Sequence, residues 1–199
     1  MQRFYNEKVS NWFHLQNLPA KSFVCGFCNV YVSSVKGYKL GKQEDGIGEQ
    51  IGAIYICASC GAPIFIAPDN IFYPSPSFGK DVDHVPEKLY ALYQESRKCS
   101  SRNCYTASVL ICRKMLLNIA VAKGAKEGLT FKECVDYLND KGYIPPDGKL
   151  WGDYIRTRGN EANHEISLMT EEDAKNLILF AGMLLSFIYQ LPGMLLIKS

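Results

Sequence analysis

Two short stretches decide the fold of this chain: CGFC at residues 25–28 and CASC at residues 57–60. Each stretch is a CxxC pair. Two thiolates at this spacing reach one side of a metal ion from a tight turn, and two such turns supply four tetrahedral ligands. We therefore predict that one structural zinc ion is bound, with no coordination position left for water, by Cys25, Cys28, Cys57 and Cys60.

The same cysteines allow two other interpretations. Disulfides require an oxidising compartment. The first twenty residues contain Arg3, Glu7, Lys8 and His14 and lack the continuous apolar run of a secretory signal. A redox CxxC motif would not explain a matched second pair. We therefore expect zinc and a cytoplasmic location.

β-Branched and aromatic residues flank both CxxC pairs and indicate strands. These residues lie at 23–24, 30–32, 54–56 and 64–66. The loop between the pairs is longer than the usual separation in such sites, so an additional β-hairpin is expected within it. We predict an N-terminal segment and zinc ribbon over residues 1–66, in which residues 1–22 are an amphipathic or irregular lead-in.

A proline-rich stretch over residues 67–86 is predicted to be a linker. Pro86 then stands where proline is favoured, at the start of a helix that runs to about Arg97. The sequence beyond the linker has helical rather than strand patterns. A domain boundary is therefore expected between the two.

The remainder of the chain, residues 87–199, is predicted to be all-α with about five helices. The most apolar helix covers residues 104–123. Thr130 and Glu133 have the spacing of a capping box, which marks the start of the next helix. The predicted fold class is therefore α+β, a small β zinc ribbon followed by an all-α helical bundle.

An uncharged stretch over residues 176–197 is long enough to span a bilayer. It also contains the polar residue Gln190. Thr170 and Asp173 have the spacing close to a capping box, which is typical of helix starts in soluble proteins. We expect Pro192 to end the helix. The stretch is interpreted as a buried core helix with a short apolar tail, and no membrane association is predicted.

Four further cysteines follow the two pairs. Cys112 lies in an apolar helix and Cys134 in an amphipathic one, so both are predicted to pack as small hydrophobic residues. Cys99 and Cys104 lie between helices. A metal or redox role for these two stays open, although the sequence offers them no further partners at suitable spacing.

The distribution of charged residues is compatible with a phosphate-binding surface but does not identify the residues that form it. The formal net charge is +2, which is too small to indicate nucleic-acid binding by itself. The distribution is uneven, because residues 86–164 carry 13 basic and 9 acidic side chains. The middle of the chain is therefore the place to look for a phosphate contact.

A polar stripe is predicted at the C-terminal end of that basic region. If residues 151–167 form one helix, Arg156, Asn160, Asn163 and His164 share a face, and the apolar residues lie on another. An imidazole transfers protons near neutral pH, and arginine stabilises charge on phosphate. The stripe is a candidate catalytic site.

A helix break at Gly159 is the alternative. Asn160 would then cap a second helix, and Arg158 rather than Arg156 could approach His164. In the plainest interpretation His164 is only a solvated or hydrogen-bonded side chain. The sequence leaves both arrangements open.

The block IRTRGNEANH at 155–164, together with an earlier helix containing Arg113 and a later YQLP at 189–192, resembles the domain-of-unknown-function family 4145. The resemblance covers residues 86–195. That family often follows a zinc-ribbon-like segment, also occurs fused to restriction enzymes, and is grouped with the HEPN (higher eukaryotes and prokaryotes nucleotide-binding) superfamily. Its pattern is matched by position at Arg113, Arg156, Gly159, Asn160 and His164. The acidic residue that commonly follows the family's early arginine is missing here.

This resemblance implies a metal-independent endoribonuclease in phage defence or a toxin system. The RNA's own 2′-hydroxyl would attack, His164 would move protons, Arg156 or Arg158 would stabilise charge, and Asn160 would orient the phosphate or the histidine. Superfamily ribonucleases usually place the arginine four to six residues before the histidine. Arg158 satisfies that spacing, whereas the family pattern favours Arg156.

The resemblance also implies a homodimer, with RNA or DNA as a partner. The alternative function is a non-catalytic adaptor that binds nucleic acid or a protein partner. In that case Arg113 and Asn163 contact a nucleotide or phosphate, or Arg113 pairs structurally with Glu161 or Asp153.

Overall fold

The computed structural model describes residues 12–41, 49–144 and 168–196. The chain divides into two compact units, Met1–Ser77 and Phe78–Ser199. In the described parts, the first unit is built from strands and the second from helices. The predicted α+β class is confirmed.

The first unit is an antiparallel sheet whose five described strands lie in sequence order. They are β1 (Gln16–Val24), β2 (Tyr31–Gly41), β3 (Gln50–Ile56), β4 (Pro63–Ile66) and β5 (Phe72–Tyr73). β2 and β3 pair with each other and form the hairpin expected between the two CxxC pairs. Phe23, Tyr55 and Ile64 are buried in the core beside the cysteines.

The sheet extends further along the chain than the sequence predicts. β1 begins at Gln16, inside the segment expected to be irregular, because pairing with β2 satisfies its backbone groups despite a polar sequence. Its pairing is irregular between Asn17 and Lys21, where Pro19 lacks a donor, a feature tolerated on an edge strand. β5 falls within the stretch predicted as a linker, since a two-residue strand leaves no periodic signal.

The second unit contains five helices in its described part: α1 (Glu87–Ser100), α2 (Tyr105–Ala122), α3 (Phe131–Asp140), α4 (Glu171–Leu185) and α5 (Leu191–Leu196). α2 is central and contacts α1, α3 and α4. Its Met115, Leu116 and Ile119 are completely buried. The helical core therefore forms around α2, the most apolar of the predicted helices.

Both predicted capping boxes are present. Glu133 N donates to Thr130 Oγ1 at 3.3 Å, and Thr130 N donates to the Glu133 carboxylate at 2.7 Å. The corresponding distances between Thr170 and Asp173 are 3.2 and 2.9 Å. These reciprocal bonds satisfy backbone N–H groups that the first helical turn leaves without partners.

The prediction that Pro192 ends the last helix is wrong. α4 continues through a π-helical turn (Ser186–Gln190) into α5, and Pro192 lies in the first turn of α5. That position tolerates a residue without an N–H donor. Gly193 has a packing role, because a Cβ there would lie 2.5 Å from the imidazole of His84.

By length and composition, α2 and the helical run Glu171–Leu195 are long and apolar enough to cross a membrane. Core helices pass the same test. Leu116 on α2, with Leu184 and Leu185 on α4, is fully buried in the helical core. Each helix thus has one face in the protein interior.

We expect Thr130→Ala to lower the free energy of unfolding by about 1 kcal/mol, because it removes the side-chain acceptor at the start of α3. Urea denaturation followed by circular dichroism would measure the change. Thr130→Ser keeps the oxygen and should lose less than half as much. Equal losses in the two variants would contradict the capping role.

Candidate functional site

Four thiols converge at one end of the sheet and form what we call the four-cysteine site (Cys25, Cys28, Cys57 and Cys60). Their sulfur atoms all lie within 4.8 Å of one another. Cys25 Sγ is 3.7 Å from Cys60 Sγ, and Cys28 Sγ is 3.8 Å from Cys57 Sγ. The sequence prediction that these residues form one potential metal site is confirmed.

The sulfur separations fit tetrahedral coordination. With metal–sulfur bonds of about 2.3 Å, sulfurs at the corners of a tetrahedron lie about 3.8 Å apart. The cross-pair distances quoted above have this length. The donor set therefore fits a thiophilic divalent ion with all four positions filled by protein.

The two CxxC turns have matching backbone geometry. Cys25 N donates to Val30 O at 3.0 Å, and Cys57 N donates to Ala62 O at 2.9 Å. Four residues after the first cysteine of each pair, Asn29 and Gly61 have left-handed φ values of 58° and 72°. Asn and Gly are the residue types that adopt this conformation most readily.

Neighbouring segments hold the turns in place. A Cβ on Gly26 would lie 1.9 Å from the carbonyl oxygen of Pro74, so only glycine permits this backbone approach. Ser77 N donates to Asn29 Oδ1 at 3.0 Å. Trp12 Nε1 donates to Gly61 O at 2.8 Å. Chain segments before and after the strands thus fix the ligands.

Burial at the four-cysteine site disfavours the thiolate form of two of its members. Burial raises the pKa of Cys25 to about 11 and also raises the pKa of Cys60. Burial acts in the same direction on Cys28, but hydrogen bonds from the Val30 backbone and from neighbouring thiols outweigh it and lower that pKa. A bound divalent ion supplies the positive charge that allows all four groups to ionise together.

Arg113 is the predicted phosphate-contacting residue within the described ranges. It lies on α2 with 6% of its surface exposed. Its guanidinium carbon is 4.6 Å from the centre of the Phe131 ring. Burial lowers the pKa of Arg113, and Nη1 has no hydrogen-bond partner among the described residues.

The predicted polar stripe lies outside the described residues. This applies to Arg156, Arg158, Gly159, Asn160, Asn163 and His164, and also to the alternative acidic partners Asp153 and Glu161. Their roles, and the choice between a continuous and a broken helix, stay predictions. The structure therefore brings together the metal-ligating residues but describes only Arg113 of the second set.

Arg97 is a buried arginine that no sequence pattern singles out. Its Nε donates to Phe78 O at 2.9 Å, and its Nη2 donates to Gly79 O at 2.8 Å. Nη1 lies 3.4 Å from Asp81. Basic residues are ordinary in the last turn of a helix, where the dipole favours them, so the position gives no signal of burial.

The family model described as "Domain of unknown function (DUF4145)" matches residues 94–194, just over half of the chain. The chain belongs to this family. The DUF4145 match begins in α1, includes Arg113 and ends in α5, so the four-cysteine site lies outside it. No curated protein and no solved structure matches the chain.

We expect purified DUF4145 protein to contain about one metal ion per chain by elemental analysis. Cys57→Ser should remove that ion and the thermal transition of the first unit, because a structural metal contributes directly to folding. Cys104→Ser is the matched control. It changes an exposed cysteine outside the four-cysteine site and should keep the ion. Retention of metal by Cys57→Ser would contradict the four-ligand site.

Proposed function

We propose that this DUF4145 protein is a nucleic-acid-associated protein with a HEPN-like helical domain that cleaves RNA, preceded by a zinc ribbon. The observation that carries the proposal is the buried, incompletely hydrogen-bonded guanidinium of Arg113. The assignment of the metal as zinc rests on the donor set, because four thiolates in a tetrahedron are a usual structural zinc site. With four sulfur ligands the ion stabilises the fold.

The environment of Arg113 is costly for the fold. Burial of a charged group is unfavourable by several kcal/mol unless the group is paired, and an unsatisfied buried donor costs about 1–3 kcal/mol. In the described ranges Nη1 has no acceptor. A phosphate oxygen would supply both the negative charge and the acceptor, and guanidinium geometry suits phosphate.

Phe131 supports this interpretation. Its ring lies against the guanidinium and holds the group by a cation–π contact. The face of an aromatic ring attracts a positive charge, but it is a weak hydrogen-bond acceptor for the N–H groups. Arg113 is thereby positioned while Nη1, which has no acceptor among the described residues, is left for a ligand.

The chemistry proposed for the helical domain is transfer of phosphate within the RNA. The 2′-hydroxyl of one nucleotide attacks the adjacent phosphorus, and the bond to the 5′-oxygen of the next nucleotide breaks. His164 accepts the hydroxyl proton, and a protonated group supplies one to the leaving oxygen. Arg156 or Arg158 stabilises charge on the phosphate, and Asn160 orients it. The products are a 2′,3′-cyclic phosphate and a free 5′-hydroxyl.

Exposed apolar residues support a homodimer as part of the proposal. Five apolar residues along α4, the π-helical turn and α5 are 43–74% exposed, and we call this set the apolar stripe (Leu179, Phe187, Leu191, Met194 and Leu195). Contiguous exposed apolar surface marks interaction sites. A second copy of the chain on this stripe would place two sets of catalytic residues in one assembly.

The same apolar stripe favours a second candidate function, a non-catalytic adaptor. In that case the stripe binds a different protein, and Arg113 and Asn163 bind nucleic acid without cleaving it. A cytoplasmic setting in phage defence or a toxin system is part of the primary proposal. The two functions differ in whether RNA is cut.

We expect the wild-type chain to cleave a mixed-sequence RNA and leave 2′,3′-cyclic phosphate ends. His164→Ala should slow cleavage by roughly 10²–10⁴-fold, because proton transfer contributes about that much, while RNA binding is retained. Gel analysis of end-labelled RNA and filter binding measure the two properties. Expression toxicity should fall in parallel.

Arg156→Ala and Arg158→Ala form a matched pair in the same assay. Replacing the arginine that faces His164 should reduce RNA cleavage far more than RNA binding. Replacing the other arginine should not have this effect. Cleavage that is unchanged by His164→Ala would overturn the nuclease proposal. RNA binding by the wild type without any cleavage would favour the adaptor.

Arg113→Met separates a ligand-binding role from a structural one. We expect weaker RNA binding with a shallower salt dependence, because one phosphate contact is lost. The free energy of unfolding should be unchanged or higher, since an apolar residue of similar size removes the cost of the buried charge. Isothermal RNA titration at several salt concentrations measures the change in binding. Urea denaturation measures the free energy of unfolding. A stability loss above about 2 kcal/mol would instead indicate a structural role.

A further inference from the structure

The turn between α1 and α2 places two cysteines side by side. Cys104 N donates to Cys99 O at 2.9 Å, and Asn103 N donates to Ser100 O at 3.0 Å. Asn103 has a left-handed φ of 61°. This pair of bonds around a left-handed residue defines a Schellman motif, which commonly ends helices.

The motif brings the backbones of the two cysteines together, and Cys104 Sγ lies 3.6 Å from Arg102 O at the exposed side of the turn. In a Schellman motif the residues joined by the outer hydrogen bond are also those whose side chains usually make a hydrophobic contact. Here both positions are occupied by cysteine. Residues joined by such a backbone bond have α-carbons roughly 5–6 Å apart, and disulfides join α-carbons about 4.4–6.8 Å apart. The backbone is therefore already compatible with a bridge.

We propose that Cys99 and Cys104 form a modification site at which an oxidant of the disulfide class converts the two thiols into an intrachain disulfide. The site is separate from the four-cysteine site and independent of the proposed RNA chemistry. In a reducing compartment the pair remains a dithiol. The bridge would close the turn that joins α1 to α2.

The exposure of the two thiols sets their order of reaction. Cys104 is exposed and Cys99 is half-buried. Burial raises the pKa of Cys99, and the neighbouring Cys104 raises it further, as expected for two thiols that interact. Thiolates rather than thiols attack disulfides. Cys104 is therefore the attacking group and Cys99 the resolving one.

With oxidised glutathione the reaction balances in two exchanges. The Cys104 thiolate attacks one glutathione sulfur, forms a mixed disulfide and releases one glutathione thiolate. Cys99 then loses its proton to solvent and attacks Cys104 Sγ, which releases the second glutathione. The protein dithiol loses two electrons, and one glutathione disulfide is reduced to two thiols.

The other helical-unit cysteines lack these properties. Cys112 is fully buried, and burial raises its pKa to about 12. Its sulfur lies 2.9 Å from Ser96 Oγ. Cys134 is also buried. Neither thiol is accessible for the first exchange.

Tryptic peptides give a direct test, because Arg102 separates the two cysteines. The metal-loaded full chain is equilibrated with oxidised glutathione, its remaining thiols are alkylated under denaturing conditions, and it is digested with trypsin. We expect peptide 99–102 to appear joined to peptide 103–113, with two fewer alkylated thiols and an unchanged metal content. Reduction should separate the peptides.

Two variants assign the bond, since peptide 103–113 also contains Cys112. Cys104→Ser should abolish the linked species, and Cys112→Ala should keep it. The proposal is overturned if oxidation yields Cys104 joined only to glutathione or to a second chain. It is also overturned if the linked peptides persist in Cys104→Ser.

Discussion

The convergence of four sulfurs is the constraint on which the N-terminal unit depends. A sheet of this size buries a limited apolar core. One cysteine turn precedes the β2–β3 hairpin in the sequence and the other follows it. An ion bound by both turns would join segments that are distant in sequence. The left-handed Asn29 and Gly61 and the close approach at Gly26 are the local conditions that allow those turns to face each other.

Arg113 differs from the four-cysteine site in its effect on stability. A metal bound at the four-cysteine site would stabilise its unit. By contrast, Arg113 has a buried guanidinium whose Nη1 lacks an acceptor among the described residues, and this carries a cost that a bound anion would offset. Natural proteins retain such costs most often where activity needs them. The DUF4145 match includes this residue and excludes the four-cysteine site, so the two features belong to different parts of the chain.

Strong local signals in the sequence predicted most of the fold. These signals depend only on neighbouring residues, and they are the paired cysteines, the β-branched runs and the capping boxes at Thr130 and Thr170. The structure contains the corresponding cysteine turns, strands and helix starts. The polar β1 strand was missed because its stability comes from pairing with β2, and the Pro192 prediction was wrong because the π-helical turn precedes it.

For the site, spacing identified the metal ligands, and family resemblance selected Arg113. Spacing cannot reveal that Arg97 is buried, since its acceptors lie in a preceding loop.

Those acceptors have a consequence for where the helical unit begins. Arg97 is 2% exposed, and the carbonyls of Phe78 and Gly79 accept two of its hydrogen bonds. The folding unit therefore includes a stretch of backbone well upstream of Glu87, where its first helix starts. An excised fragment that begins at Glu87 would keep the buried Arg97 guanidinium but lose these two carbonyl acceptors and the Asp81 carboxylate, whereas one that begins at Phe78 retains all three.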